Sequence, residues 1–337
     1  MMFLSKKEID RNIKWLLKHG SPPVKYLTHK HLLEVNPLSQ KMRELWKEVE
    51  DYSEVRNLFS KQQSNGSWDS GAYKIKSVKE GYTPLTPKYV TTVWILPILG
   101  DLGYDIKDPR IKKACEYVMT YQCPDSMFYR WKIKRSKTDK QGYKEPTFPC
   151  DQAIYLTALG SVGMGQDKRL ENSYNQLLWL QREDGGWMSE IHRQRDNWTR
   201  SCPWSSYFGA SALYYSQNPA YRKKLLKALN FLVWHLSKKK KDEIKRFFYH
   251  GHNMVKELLM FSENEIDMSQ KPIQILLDWL LTMYHREEGF FEYRGKSLSK
   301  FNRREDGATP RVIKYRLYHL IETDWLTYYM TRIVKNL

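Results

Sequence analysis

The chain has 337 residues, 41% apolar and 14% aromatic, with 12 Trp and 23 Tyr. That is ample for a packed core in one large domain or two ordinary ones, and it excludes a small scaffold held by disulfides. The 56 Lys and Arg against 38 Asp and Glu give a net charge of +18. This balance favours an anionic neighbour such as a phosphate ester, a nucleic acid or an acidic membrane face, without choosing among them.

The opening MMFLSKKEID carries no apolar signal-peptide stretch. The longest apolar run, VWILPILG at 93–100, is well short of the roughly 20 residues a membrane span needs. Cys115, Cys123, Cys150 and Cys202 form no CxxC pair, which suits reduced thiols in a cytoplasmic protein. The chain is therefore expected to be soluble or to sit on a membrane surface.

Along the chain two kinds of helix alternate. Amphipathic helices are predicted over 5–19, 42–62, 108–122, 168–181, 220–237 and 272–286. Pairs such as Asp108-Pro109 and Asn218-Pro219 announce their starts. More apolar helices are predicted over 23–34, 88–100, 149–161, 202–216, 250–263 and 323–335. Between an amphipathic helix and the next apolar one stands a recurring turn: QQSNGSW from Gln62, QCPDSMF from Gln122, QREDGGW from Gln181 and HREEGFF from His285. Each has Asn, Asp or Glu three residues on, Gly or Ser next, and an aromatic at position six. Gly or Ser permits the reversal, Gln can satisfy backbone groups left over at a helix end, and the aromatic folds back as a seal. The spacings are 60, 59 and 104 residues, the last being twice 52. WHLSKKKK near residue 235 reads as a degenerate copy without the turn.

Repeats of this length mean stacked or ringed units. Six helix pairs, with helix 5–19 completing the last, predict an all-α (α/α)6 toroid as a single domain over 1–337. The apolar helices would be its inner layer, because they are buried on most sides.

QREDGGW and QQSNGSW resemble the QW repeats of squalene–hopene cyclases, and the chain is similar to that superfamily and to the β-subunits of protein prenyltransferases from about residue 50 to 335. The resemblance implies a toroid with a central cavity, similar to one barrel domain of a triterpene cyclase. Class II terpene cyclases protonate an alkene with an Asp of a DxDD motif at the start of an inner helix. This chain has no DxDD and no DDxxD-type Mg²⁺ cluster. The best positional match is FPCDQA, in which Asp151 agrees and Cys150 stands where the family's proton-donating Asp would be. Asp151 is thus the candidate catalytic acid. It also suits the first turn of a helix through the dipole alone.

Cys150, Cys202 and His252 open three successive inner helices, 52 and 50 residues apart. Two thiolates and an imidazole suit Zn²⁺ with an open fourth position. The set resembles the metal sites of protein prenyltransferases and lanthionine synthetase cyclases, although the local motifs match neither. Buried, inert cysteines would explain the same residues. Tyr89, Trp94, Trp204, Tyr207, Trp325 and Tyr328 fall on inner helices and are expected to line the cavity, where π faces stabilise cations. Ordinary helix packing also produces such stripes. The basic excess concentrates in 129–144 and 238–246, where it could meet anionic lipid headgroups or a diphosphate. No nucleic-acid motif accompanies it, so nucleic acid is not the expected partner.

Three readings follow. The first is an isoprenoid- or lipid-binding toroid related to terpene cyclases, with any catalysis resting on an acid other than DxDD. The second is a zinc-dependent transferase or a cyclase of thiols or peptides. The third is a binding protein that kept the ring and lost the acid. Substrate and oligomeric state are not legible in the residues.

Overall fold

The computed structural model describes residues 4–68, 91–128, 149–189, 200–239, 254–293 and 322–337. The chain divides into two compact units, one of Lys61–Leu232 with Arg304–Thr309, the other of Met1–Ser60, Val233–Arg303 and Pro310–Leu337. The described residues are mostly helical, as the alternating pattern requires, and none of their helices is long and apolar enough to cross a membrane.

The Lys61–Leu232 unit contains α5 (Thr92–Asp101), α6 (Pro109–Met119), α7 (Pro149–Leu159), α8 (Glu171–Trp179), α9 (Pro203–Ser216) and most of α10 (Arg222–Ser237). The apolar helices pack on one another, with α7 against both α5 and α9, while α6 lies on α5 and α8 on α7. Burial follows this layering. All residues of α7 from Cys150 to Leu159 are buried, whereas α6 buries a stripe built on Ile111, Ala114, Cys115 and Val118. The amphipathic helices begin alike. Asp108, Asp167 and Asn218 each stand at the N-cap and accept the backbone N–H two residues on, at 2.8, 2.9 and 3.0 Å. Such caps typically contribute about 1 kcal/mol each.

The other unit contains α1 (Lys6–His19), α2 (Pro22–Leu27), α3 (Gln40–Asp51), α4 (Ser53–Phe59), α11 (Met254–Glu263), α12 (Lys271–Leu281) and α13 (Thr323–Lys335). A short hairpin pairs β1 (Tyr284–His285) with β2 (Phe290–Phe291). Helix α13 packs on α1 and α11, so the first and last helices pair as expected. Ser5 and Glu8 close a capping box at the start of α1.

Several expected boundaries shift. The helix expected over 42–62 is two helices, α3 and α4, separated by extended backbone at Tyr52. The apolar helix expected over 23–34 loosens into a wider π turn at Thr28–Leu32, and that over 149–161 does so at Gly160–Met164. In the second case glycines weaken the helical preference, and Gly163 takes φ +88°. The helix expected to reach residue 286 ends at Leu281, because the aromatics Tyr284, Phe290 and Phe291 favour a strand pair around the turn at Gly289.

Candidate functional site

The four turns share one geometry. Gly66, Ser126, Gly185 and Gly289 have φ of +91°, +64°, +94° and +83°, the left-handed region where a β-carbon is disfavoured. The acid or amide before the first three caps the turn: Asn65, Asp125 and Asp184 accept from the backbone N–H two residues on. The glutamines reach forward to the next amphipathic helix rather than back to their own. Gln62 Nε2 donates to the carbonyls of Gly66 and Arg110, Gln181 Nε2 to those of Gly185 and Lys224, and Gln122 Nε2 to that of Arg169 and to Ser173 Oγ. His285 departs from this pattern, pairing instead with Glu292 at 3.1 Å. The fourth turn still docks on an amphipathic helix, α1, through Arg11 to the Arg286 carbonyl and through an Arg286–Glu8 ion pair.

The sealing aromatics Trp68, Phe128, Trp187 and Phe291 are all buried. Each of their backbone N–H groups donates to one side chain on the following apolar helix: Thr92, Gln152, Ser206 and Thr327, at 3.0, 2.9, 3.0 and 2.8 Å. These four anchors set a register for the apolar helices. With 3.6 residues per turn, the positions two before, one after and two after an anchor lie within about 100° of one another, opposite the side that meets the turn.

On that far face α9 carries Trp204, Tyr207 and Phe208, and α13 carries Trp325, Tyr328 and Tyr329. The two helices thus share a W-x-[S/T]-Y-[F/Y] stretch, which was visible in the sequence once the hydroxyl was recognised as the point of alignment. The rings touch edge to face: Trp204–Phe208 centroids are 4.9 Å apart, Tyr207–Phe208 5.2 Å, Trp94–Phe208 5.9 Å and Trp325–Tyr328 6.2 Å. Trp94 is the matching aromatic of α5. Trp94, Tyr207, Trp325 and Tyr328 are buried and Trp204 is half-buried. Tyr89 lies outside the described residues.

Helix α7 differs at the same stations, with Cys150, Ala153 and Ile154 in place of the rings. Asp151 is buried in its first turn, and Cys150 Sγ is 4.0 Å from Asp151 Oδ1. The anchor itself is unusual. Thr92, Ser206 and Thr327 present hydroxyls, whereas Gln152 accepts with Oε1 and its buried Nε2 has no partner among the described residues.

The anchor register also separates the two cysteines proposed as ligands. Cys150 stands two residues before its anchor, within α7, whereas Cys202 stands four before its own, at the extended N-cap of α9. Their shared position at a helix start, inferred from a 52-residue spacing, is therefore not an equivalent station. Cys202 is also engaged through its backbone N–H, which donates to the Trp187 carbonyl at 2.8 Å. His252 lies outside the described residues. Among the described residues no three or more His, Cys, Asp or Glu gather as a metal site. The basic stretches 129–144 and 240–246 are likewise outside them.

A cavity of about 340 Å³ lies where two amphipathic helices begin, bordered by Asp167, Lys168, Glu171, Tyr174, Asn218 and Tyr221 among others. None of the expected aromatic lining residues borders it.

No family model matches this sequence, and no curated protein matches it. Among solved structures, a protein from Actinoplanes matches 98% of this chain over 98% of its own, with 13% identity and a TM-score of 0.46. Two variants of the type II terpene cyclase MstE from Scytonema match 98% of this chain over 97% of their own, with 12% identity. Their TM-scores are 0.45 for the apo form and 0.47 for the complex with geranylgeranyl dihydroxybenzoate. At such scores a likeness does not separate a shared fold from a shared content of helix, and the functional reading rests on this chain's own residues.

Proposed function

We propose that this chain is an (α/α)6 toroid of one domain whose lumen binds an isoprenoid or another lipid-like small molecule against an aromatic wall. The observation that carries this reading is the repeated stripe Trp204, Tyr207, Phe208 and Trp325, Tyr328, Tyr329, set opposite the anchors that face the turns. Rings held on one face by a register are suited to an extended apolar chain and to any cationic centre developing along it. At the same stations α7 carries the smaller Cys150, Ala153 and Ile154 in place of rings, and the proposed ligand group would sit against them. Asp151 is the acid nearest those stations in sequence, and it is the candidate proton donor if the ligand is turned over. Zn²⁺ held by Cys150, Cys202 and His252 is the alternative source of chemistry. The thiols suit that metal, and their differing registers weigh against it.

The test is thermal unfolding of the full chain with geranylgeraniol or squalene, alongside Trp204→Ala and Trp325→Ala variants. A ligand at a hundred times its Kd should add about 2.7 kcal/mol to stability, and both variants should reduce that gain. No stabilisation by either isoprenoid, or a gain untouched by both substitutions, would sink the reading.

A further inference from the structure

Helix α10 breaks the charge pattern of its equivalents. In α6 the cap Asp108 pairs with Arg110 at 2.6 Å, and before α8 the cap Asp167 pairs with Arg169 at 2.7 Å. Arg169 also reaches Glu116 at 2.9 Å. At the start of α10 the cap is the neutral Asn218, and Ala220 stands two residues on. Arg222, Lys223, Lys224 and Lys227 then follow on the exposed edge, and α10 contains no Asp or Glu. Lys223, Lys224 and Lys227 make no ion pair among the described residues. Cations in the first turns of a helix are disfavoured by its dipole. Lys112 and Lys113 stand in the first turns of α6 too, but Glu116 follows them on that helix; Lys223, Lys224 and Lys227 share α10 with no acid, which points to an external compensation.

Beside this edge stands a second anomaly. Trp179 ends α8 and is 83% exposed. It lies two residues before Gln181, whose amide binds the Lys224 carbonyl, and Gly185 of the same turn packs on Lys227. The turn does not need a Trp there, because the same station holds Ser60, Thr120 and the buried Met283 in the other copies. The apolar face of α10, including Leu225, Ala228, Leu229 and Leu232, is already buried, so the helix has no apolar stripe left to insert.

We propose that the edge formed by Lys223, Lys224, Lys227 and Trp179 docks the protein on an anionic lipid bilayer. The lysines would neutralise headgroup phosphates, and Trp179 would lodge its ring at the headgroup level, where amphipathic aromatics are stable. Charge complementarity selects an anionic surface. A helix edge with one exposed ring selects a bilayer over single-stranded nucleic acid, which is bound in grooves that stack successive bases.

The test is co-sedimentation of the full-length protein with phosphatidylcholine vesicles, with or without about a third of phosphatidylglycerol. Binding is expected only to the anionic vesicles, falling with added salt. Replacing Lys223, Lys224 and Lys227 together by Gln should weaken it on the order of a hundredfold, about fivefold for each lysine. Trp179→Ser, the residue used at the first turn, should weaken it severalfold. Neither variant should lower the thermal midpoint, which separates loss of the surface from loss of the fold. Equal binding to neutral vesicles overturns the proposal. So does full binding by either variant, which would move the contact to the basic stretches 129–144 and 238–246. Tighter binding to single-stranded RNA than to the vesicles, lost in the same lysine variant, would overturn it in favour of nucleic acid.

Discussion

The contact between Trp187 and Gly209 offers a sharp test of the turn-to-helix seal. A β-carbon added at Gly209 would stand 2.4 Å from Trp187 Cε3, 2.5 Å from Cζ3 and 2.8 Å from Cδ2. Carbon contacts prefer about 3.5–4.0 Å, so Gly209→Ala forces the ring or the helix to give by about 1 Å. Overpacking of this kind costs about 1–3 kcal/mol. Trp187 is fully buried, and its indole N–H donates to the Leu177 carbonyl at 2.7 Å. Trp187→Leu should therefore cost about 3 kcal/mol, at the lower end of the range for large aromatics cut to Ala. It also vacates the space that a methyl group added at Gly209 would invade. In the doubly substituted protein the cost of Gly209→Ala should largely vanish, giving a coupling of at least about 1 kcal/mol. Urea unfolding of the four proteins, followed by far-ultraviolet circular dichroism, measures this directly. Additivity within about 0.5 kcal/mol would show that the two residues do not meet as described.

The four cysteines are buried, and burial pushes the Cys115 thiol up to about 12, so a maleimide should label native protein negligibly and label it fully in denaturant. Rapid labelling of Cys115 without unfolding would refute its place in the α6 stripe. For pH, burial and then the charges of Arg332 and Lys30 lower His31 from its ordinary value near 6.5 to about 3. Its neutral form belongs to the fold, so its contribution is complete above about pH 6.5 and declines as pH falls towards about 3. His31→Gln should flatten that part of the stability profile, and an unchanged slope would argue that His31 is solvated. Burial alone would raise Asp184, but hydrogen bonds from Ser201 and Gly186 outweigh it and leave the carboxyl below its usual range. Its contribution is therefore present above about pH 4 and lost as pH falls through its folded value. Asp184→Asn should remove part of the acid transition, which a pH series of unfolding midpoints would detect. If Asp151 is the proton donor, Asp151→Asn should retain isoprenoid binding and lose turnover. If zinc supplies the chemistry, protein purified without a tag should carry the metal by elemental analysis. A zinc-free protein that takes up none on addition would end that alternative.

Local chemistry made much of the architecture legible. Gly or Ser at a forced positive φ, an Asx cap before it and an aromatic two residues beyond it act within seven residues, so QQSNGSW and QREDGGW announce their own geometry. The starts at Asp108-Pro109 and Asn218-Pro219 are similarly local, and they stand where the caps form. Other features depend on partners far away in the chain. Nothing near Gln181 says that its amide will reach Lys224 on the next amphipathic helix, or that Gly209 is glycine because an indole lies over it. The register of the apolar helices is of the same kind. Spacing in sequence aligned Cys150 with Cys202, but the hydrogen bonds from Phe128 to Gln152 and from Trp187 to Ser206 align Cys150 with Trp204. Loops of different length between turn and helix absorb the difference, so residue counts cannot give rotational phase. What decides which side chains share a face is the backbone N–H that finds its acceptor across the layer, and that choice exists only once the helices have packed.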